Sequence, residues 1–578
     1  MDIYRMKQSK KYRLWSAIVV VLVIAATMSV GIFIGRMGER LRTHRQVEGL
    51  MLDVERSRMD LETMATLMHG AEARGSWNDK MLQTIATIRN YYVDPIDLDS
   101  IYEHAIPVLL SELDPHSEYI PAKLFESVNE SLEGEFDGIG IVFNAMTDTI
   151  TVLNVIPQGP SAKAGVRAGD RIILIDGREV AGQGIPQDSM VRLMRGPRGS
   201  RVKLSVARAN LSELVEMEVT RDAIELHSIE AAFMLDREHG IACIRLSQFA
   251  RTSHNEIRRA LTRLHDEGMT ALILDLRGNG GGFLDQAIAI ANEFLAKDKL
   301  IVYTEDRYGN RHSEYSTGQG EYSDLELAVL VDEISASSSE ILAGAMQDND
   351  RGLVIGRRTF GKGLVQTQIP FADGSAVRLT VARYYTPTGR SIQKPYVKGD
   401  EAAYHLDLIN RINNNELFSA DSIHFDESMR YTTPAGRTVY GGGGIMPDIF
   451  IPLDTTGITK YYNRVWDGNI LYRYTMEFAD RHRAKMERIK SLEELDALLA
   501  SVDIVEEFVA YAERHGVERN DTELRVSRKI IEAQLRAYIG RNAMDDSSGF
   551  YYNIFPIDDA MQRAAKELRE RIDGTTKN

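Results

Sequence analysis

Between about residues 223 and 455, apolar runs of strand length alternate with helix-length amphipathic stretches, and few folds accommodate that order. Residues 270–276, 325–331 and 353–355 read as strands, and residues 284–295 and 340–347 as helices. Such alternation predicts an α/β core. Residues 133–222 have another texture. Short β-branched runs at 139–143, 150–155, 171–175 and 201–207 are separated by Gly/Pro turns, as in a small β-rich domain. Residues 79–132 look helical around 82–92 and 101–113. Beyond 456 the chain reads as helical and charged. Ser491-Leu492-Glu493-Glu494 forms a capping box, and Leu492, Leu495, Leu498, Leu499, Val502, Val505, Phe508 and Val509 follow at helical spacing.

The N-terminus sets the expected compartment. Residues 14–35 are 22 positions without a charge, about 33 Å as a helix, enough to cross a bilayer core of roughly 30 Å. Arg5, Lys7, Lys10, Lys11 and Arg13 precede the run, and positive charge stays on the cytoplasmic side. The expectation is therefore an uncleaved, single-pass signal anchor over residues 1–35, a helical stalk over 36–78, and an exported body. A cleaved signal peptide would have a shorter apolar core and an Ala-x-Ala-like end. The charge balance, 69 − 84 = −15, disfavours binding to a nucleic-acid backbone. The single cysteine, Cys243, excludes an internal disulfide framework and metal sites built on several thiolates.

Three motifs in the α/β region carry chemistry. Asp275-Leu276-Arg277-Gly278-Asn279-Gly280-Gly281-Gly282 lies between a strand and a helix, where backbone N–H groups can hold an anion. Residues 332–341, DEISASSSEI, form a second strand-to-helix corner. Capping needs one serine, and here there are Ser335, Ser337, Ser338 and Ser339, so a nucleophile is in contention. Residues 356–363, GRRTFGKG, look like a phosphate-binding loop, but Gly363 replaces the magnesium-binding hydroxyl and a strand follows instead of a helix. If Lys362 begins that strand, Gln366 shares its face. A buried, neutral lysine can then serve a serine as general base, with Gln366 orienting the amine. No histidine shares a motif with the serine run, His116 sits in a Pro-containing turn, and His-Glu-x-x-His is absent, so a Ser-His-Asp or zinc peptidase is disfavoured.

Residues 134–222 resemble a PDZ domain of the bacterial kind. The likeness rests on Phe136-Asp137-Gly138-Ile139-Gly140-Ile141, Pro160-Ser161-Ala162-Lys163-Ala164-Gly165, Gly169-Asp170-Arg171 and Ile175-Asp176-Gly177. This implies capture of peptide C-termini by strand addition, with Gly138, Ile139, Gly140 and Ile141 as the carboxylate loop. From about residue 79 to 452 the chain resembles the C-terminal processing peptidases, or tail-specific proteases. Leu113-Asp114-Pro115-His116-Ser117, the run from Tyr384 to Gln393, and the run from Gly441 to Asp448 belong to the match. The resemblance implies Ser337 as nucleophile, Lys362 as base, 362 − 337 = 25 residues later, and Gln366 as its orienting partner. Gly282 and the Ser338 N–H are implied as oxyanion donors, with Ser338 standing where the family usually has Ala.

The expected whole is a multidomain α/β protein. It comprises the anchor (1–35), stalk (36–78), an N-terminal helical part of the peptidase (79–132), a PDZ domain (133–222), an α/β serine peptidase core (223–455) and a C-terminal helical region (456–578). Its expected partners are proteins and peptides with apolar C-termini, the membrane through the N-terminal helix, and a homo-oligomer or adaptor protein on the C-terminal helices. No metal, nucleotide or other cofactor and no nucleic acid are expected. The expected place is the bacterial inner membrane with the body on the periplasmic side. A non-catalytic PDZ scaffold is the alternative, against which intact Ser337, Lys362 and Gln366 speak.

Overall fold

The computed structural model describes residues 77–144, 149–156, 158–208, 211–544 and 546–576. The expected anchor and all but the end of the stalk lie outside the described residues. Among the described residues no helix is long and apolar enough to cross a membrane.

The α/β region is built on a six-stranded sheet in the order Ile229–Asp236, Ile241–Leu246, Ala271–Asp275, Glu326–Val331, Leu353–Gly356, Ile449–Phe450. The first pair is antiparallel and the rest are parallel. Successive strand residues face opposite sides, and the sequence obeys this on both. Leu272, Leu274, Leu327, Val329 and Val331 face one apolar layer, together with residues of helices Ser253–Asp266, Leu284–Phe294 and Ser338–Asp348. Ala271, Ile273, Ala328 and Leu330 face the other. A parallel sheet apolar on both faces needs cover on both. The second cover comes from the far end of the chain, helix Asp559–Thr576, through Met561, Ala564, Ala565 and Leu568.

The expected single helical region beyond 456 is thus shared between two cores. Lys460–Asp467, Ile470–Met486, Leu492–Ala500, Ile504–Arg514 and Asp521–Ala543 pack mainly on one another, whereas the last helix belongs to the peptidase sheet. Ser491 caps Leu492–Ala500, accepting from the Glu494 N–H at 3.2 Å, as its motif predicts. The helical spacing that runs on to Val509 is divided, because a second helix starts at Ile504 with Asp503 as its cap.

A second sheet joins Leu364–Pro370, Ala376–Tyr385, Leu300–Asp306 and Arg311–Tyr315 to Glu118–Ile120, a strand from the region expected to be helical. Residues 141–220 form a separate sheet around Ile150, Val152, Ile172, Val202, Leu204 and Val219. Among the described residues its edge strand, Ile141–Asn144, pairs on one side only, with Ile150–Val155.

Candidate active site

Three adjacent parallel strands end together, and each continues into one motif. Ala271–Asp275 leads to the glycine loop, Glu326–Val331 to the serine run and Leu353–Gly356 to the lysine loop. The C-terminal edge of a parallel sheet is where α/β folds build sites.

Four serines compete at the second corner, and their hydroxyls separate them. Ser335 Oγ donates to Leu276 O at 2.8 Å, Ser339 Oγ to Asn279 O at 2.9 Å and Ser338 Oγ to Gly282 O at 2.9 Å, all three being buried. Ser337 is the partly exposed one. Its backbone has φ 54° and ψ −115° just before helix Ser338–Asp348, a strained conformation of the kind retained at functional sites.

Lys362 precedes the strand that begins at Leu364, and a bulge lies between Val365 and Gln366. The expected shared strand face is therefore not the geometry. The contact forms all the same: Lys362 Nζ donates to Gln366 Oε1 at 2.9 Å. Burial, aided by the Arg378 charge, lowers the Lys362 pKa to about 8. Gln366 Nε2 in turn donates to the His116 carbonyl. The His116 ring bonds Tyr404 Oη at 2.8 Å, and burial together with the Lys362 charge lowers its pKa to about 3. His116 is thus a neutral ring, and it is its carbonyl that meets Gln366. Asp114 holds that turn by accepting from the His116 and Ser117 N–H groups, both at 2.9 Å.

Two residues outside the expected site tie the serine and lysine loops together. Glu340 is fully buried, and its carboxylate accepts from the N–H of Ser337 (2.9 Å), Lys362 (2.9 Å) and Gly361 (2.7 Å) and from Thr359 Oγ1 (2.6 Å). Burial raises its pKa to about 7 against the pull of those donors. Tyr384 Oη lies 2.6 Å from Lys362 O and 3.2 Å from Ser337 O. The signal for Glu340 was present: Ser337-x-x-Glu340 has capping-box spacing.

The glycine loop reaches the same corner. A Cβ on Gly281 would stand 2.8 Å from Ser337 Cβ and from Ala336 O, and one on Gly282 would stand 2.2 Å from Phe249 O. Only glycine allows so close an approach. The Gly282 and Ser338 N–H groups have no acceptor among the described residues. Within the other expected site, Gly138 differs from its expected place in a loop. It ends strand Glu135–Gly138, paired with Asp222, so the turn proper is Ile139–Gly140, with Gly140 at φ 71°. The carbonyls of Ile139 and Gly140 accept from Ser161 (2.9 Å) and Ile156 (3.1 Å). Among the described residues no cluster of three His, Cys, Asp or Glu side chains could hold a metal ion.

Comparison with known proteins gives this arrangement a class. Residues 240–403 match the model of peptidase family S41, residues 138–219 that of the PDZ domain, and residues 461–545 that of a family of unknown function, DUF8443. The chain is a serine peptidase that carries a PDZ domain. It is 38% identical over 311 residues to a carboxy-terminal-processing protease of Bartonella bacilliformis, covering 53% of this chain and 70% of the relative. A carboxyl-terminal-processing protease of Picosynechococcus is 37% identical over 307 residues, 52% of this chain and 73% of the relative. A solved structure of a photosystem II D1 C-terminal processing protease is 30% identical, over 56% of this chain and 86% of that one, with a TM-score of 0.34. The chain belongs to the carboxy-terminal processing peptidases.

Proposed function

We propose that the protein is a membrane-anchored endopeptidase that takes the C-terminal tails of envelope proteins and cleaves them with a Ser337–Lys362 dyad. The observation that carries this reading is Glu340, whose carboxylate joins the backbone N–H of a strained, partly exposed Ser337 to that of a buried Lys362. In its neutral form, Lys362 takes the Ser337 proton. Gln366 holds the amine in place without adding charge, and Ser337 Oγ attacks the scissile carbonyl. The N–H groups of Gly282 and Ser338 hold the oxyanion, and one such donor is worth roughly 2.7–4 kcal/mol. Lys362 returns the proton to the leaving amine, and water hydrolyses the acyl-enzyme by the same route.

The free edge of Ile141–Asn144 supports tail capture by strand addition. Apolar side chains of Ile139, Met190 and Met194 nearby favour an apolar last residue. The uncharged run at 14–35 with its basic flank supports an inner-membrane anchor and a periplasmic body. The scaffold alternative leaves the Ser337, Lys362 and Glu340 arrangement without a use.

The test is to incubate the full chain and its Ser337→Ala and Lys362→Ala versions with a test protein carrying an apolar tail. Wild type should cleave it, and both variants should bind it uncut while melting like wild type. Cleavage by either variant rejects the dyad. Fractionation with and without residues 1–35 tests the anchor, which fails if both forms sediment alike.

A further inference from the structure

The glycine loop is gripped near its start by a residue outside all three matched stretches. Asp558 lies just before the last helix. Arg277, within the loop, donates through its two terminal nitrogens to the two carboxylate oxygens of Asp558, at 2.9 and 2.8 Å. The same guanidinium donates to both oxygens of Asp275, at 2.9 and 2.7 Å. Arg245 completes the frame by donating to Asp275 (2.7 Å), the Arg277 carbonyl (2.9 Å) and Glu230 (2.9 Å). Tyr551, also from the C-terminal segment, donates to Glu230 at 2.7 Å, and Arg245 stacks on its ring.

Asp275 is fully buried, and Arg277 and Asp558 are 18% and 13% exposed. Water therefore screens these pairs weakly, and a forked Arg–carboxylate contact fixes direction as well as distance. From Arg277 the chain runs to Gly281, whose α-carbon leaves no room for a Cβ against Ser337. It then reaches Gly282, whose carbonyl takes the Ser338 hydroxyl. A loop clamped at one end by Asp558 and pressed on the serine corner at the other has little freedom to shift.

We propose that Asp558 is a positioning residue for the peptidase reaction: through Arg277 it holds the glycine loop so that the Gly282 N–H meets the oxyanion formed at Ser337. This rests on the proposed oxyanion role of Gly282. The C-terminal segment thereby completes the active site as well as the core.

Asp558 also caps the last helix, accepting from the Met561 N–H at 3.0 Å. The test must keep that cap. Asn is as good a cap as Asp and lacks the charge, so Asp558→Asn in the full chain is the informative variant. Asp558→Ser, also a capping residue, is the second should the first fold poorly. The readouts are kcat and KM on a tailed peptide, the melting midpoint, and affinity for a peptide aldehyde. In the aldehyde complex Ser337 Oγ bonds to the carbonyl carbon, the C=O π bond breaks, and the hydroxyl proton passes to Lys362, leaving an oxyanion for the loop.

Asp558→Asn should lower kcat about tenfold, a modest share of what an ångström-scale misplacement costs. KM should stay unchanged, and the melting midpoint should fall while the protein remains folded at the assay temperature, because the ion pair is lost. Aldehyde affinity should fall by the same factor as kcat, and Asp558→Glu should recover part of the loss. Wild-type kcat in Asp558→Asn overturns the inference, as does a loss of kcat with wild-type aldehyde affinity. Ser337→Ala run alongside separates the two levels. If it still turns over, the dyad reading falls. If it is dead while Asp558→Asn has full kcat, only the role of Asp558 falls.

Discussion

Ser337 and Ser338 are neighbours with opposite fates, and their hydroxyl partners decide which is which. Ser338 Oγ is spent on Gly282 O, so its loss leaves one carbonyl short of a donor and should lower activity only a few-fold. Ser337→Ala should abolish peptide hydrolysis, and the two variants assayed side by side check the assignment. The pH profile follows from Lys362. Its pKa of about 8 means that roughly a tenth of the amine is neutral at pH 7. Activity should therefore climb with pH through about 8, and an initial-rate series from pH 6 to 10 measures it. Lys362→Arg should be inactive across that range, because guanidinium stays protonated. The surplus of serines at one corner marks a place for a nucleophile, and it is the family resemblance that implies Ser337 among them. Glu340 was not legible in the sequence, because Ser-x-x-Glu spacing reads first as a helix cap. Its four donors come from loops that a single sequence does not bring together.

At the scale of elements, the three motif-bearing loops share one edge because their strands are adjacent and parallel. Strand parity and helix spacing were readable from the apolar pattern, so the main α/β elements fall close to their expected ranges. The Lys362–Gln366 contact was expected from strand periodicity, which the bulge at 365/366 breaks, and proximity alone delivered it. Strand Glu118–Ile120 departs from the helical expectation for its region, since three residues carry too short a pattern. Glu340 is the joint between two of these loops. Glu340→Gln presents an amide NH₂ where donors converge, so one carboxylate oxygen's worth of bonds is lost and donors face donors. At about 1.5–3 kcal/mol per charged hydrogen bond, the variant should lose activity and melt several degrees lower. Wild-type melting and turnover would remove Glu340 from the account.

Across the whole molecule, the last helix decides how the peptidase can be cut. It covers the sheet face formed by Ile273, Ala328 and Leu330. Deleting residues 559–576 should expose that face and give an unfolded or insoluble protein, as a circular dichroism melt would report. A deletion from Ser491 onward also removes this helix, so lost activity there reflects the peptidase core before any assembly role. The long return of the chain was invisible in the sequence, because amphipathic spacing in residues 559–576 shows that a face is buried without naming what buries it. Tail capture, cleavage and this closure meet in one claim, that Ser337 Oγ is the atom that attacks. Its most direct measurement is intact-protein mass spectrometry of a tailed test protein mixed with wild type or with Ser337→Ala. The account predicts a shortened product with wild type and none with Ser337→Ala, the uncut protein remaining bound to the variant. The same shortened product at a similar rate from Ser337→Ala would contradict it.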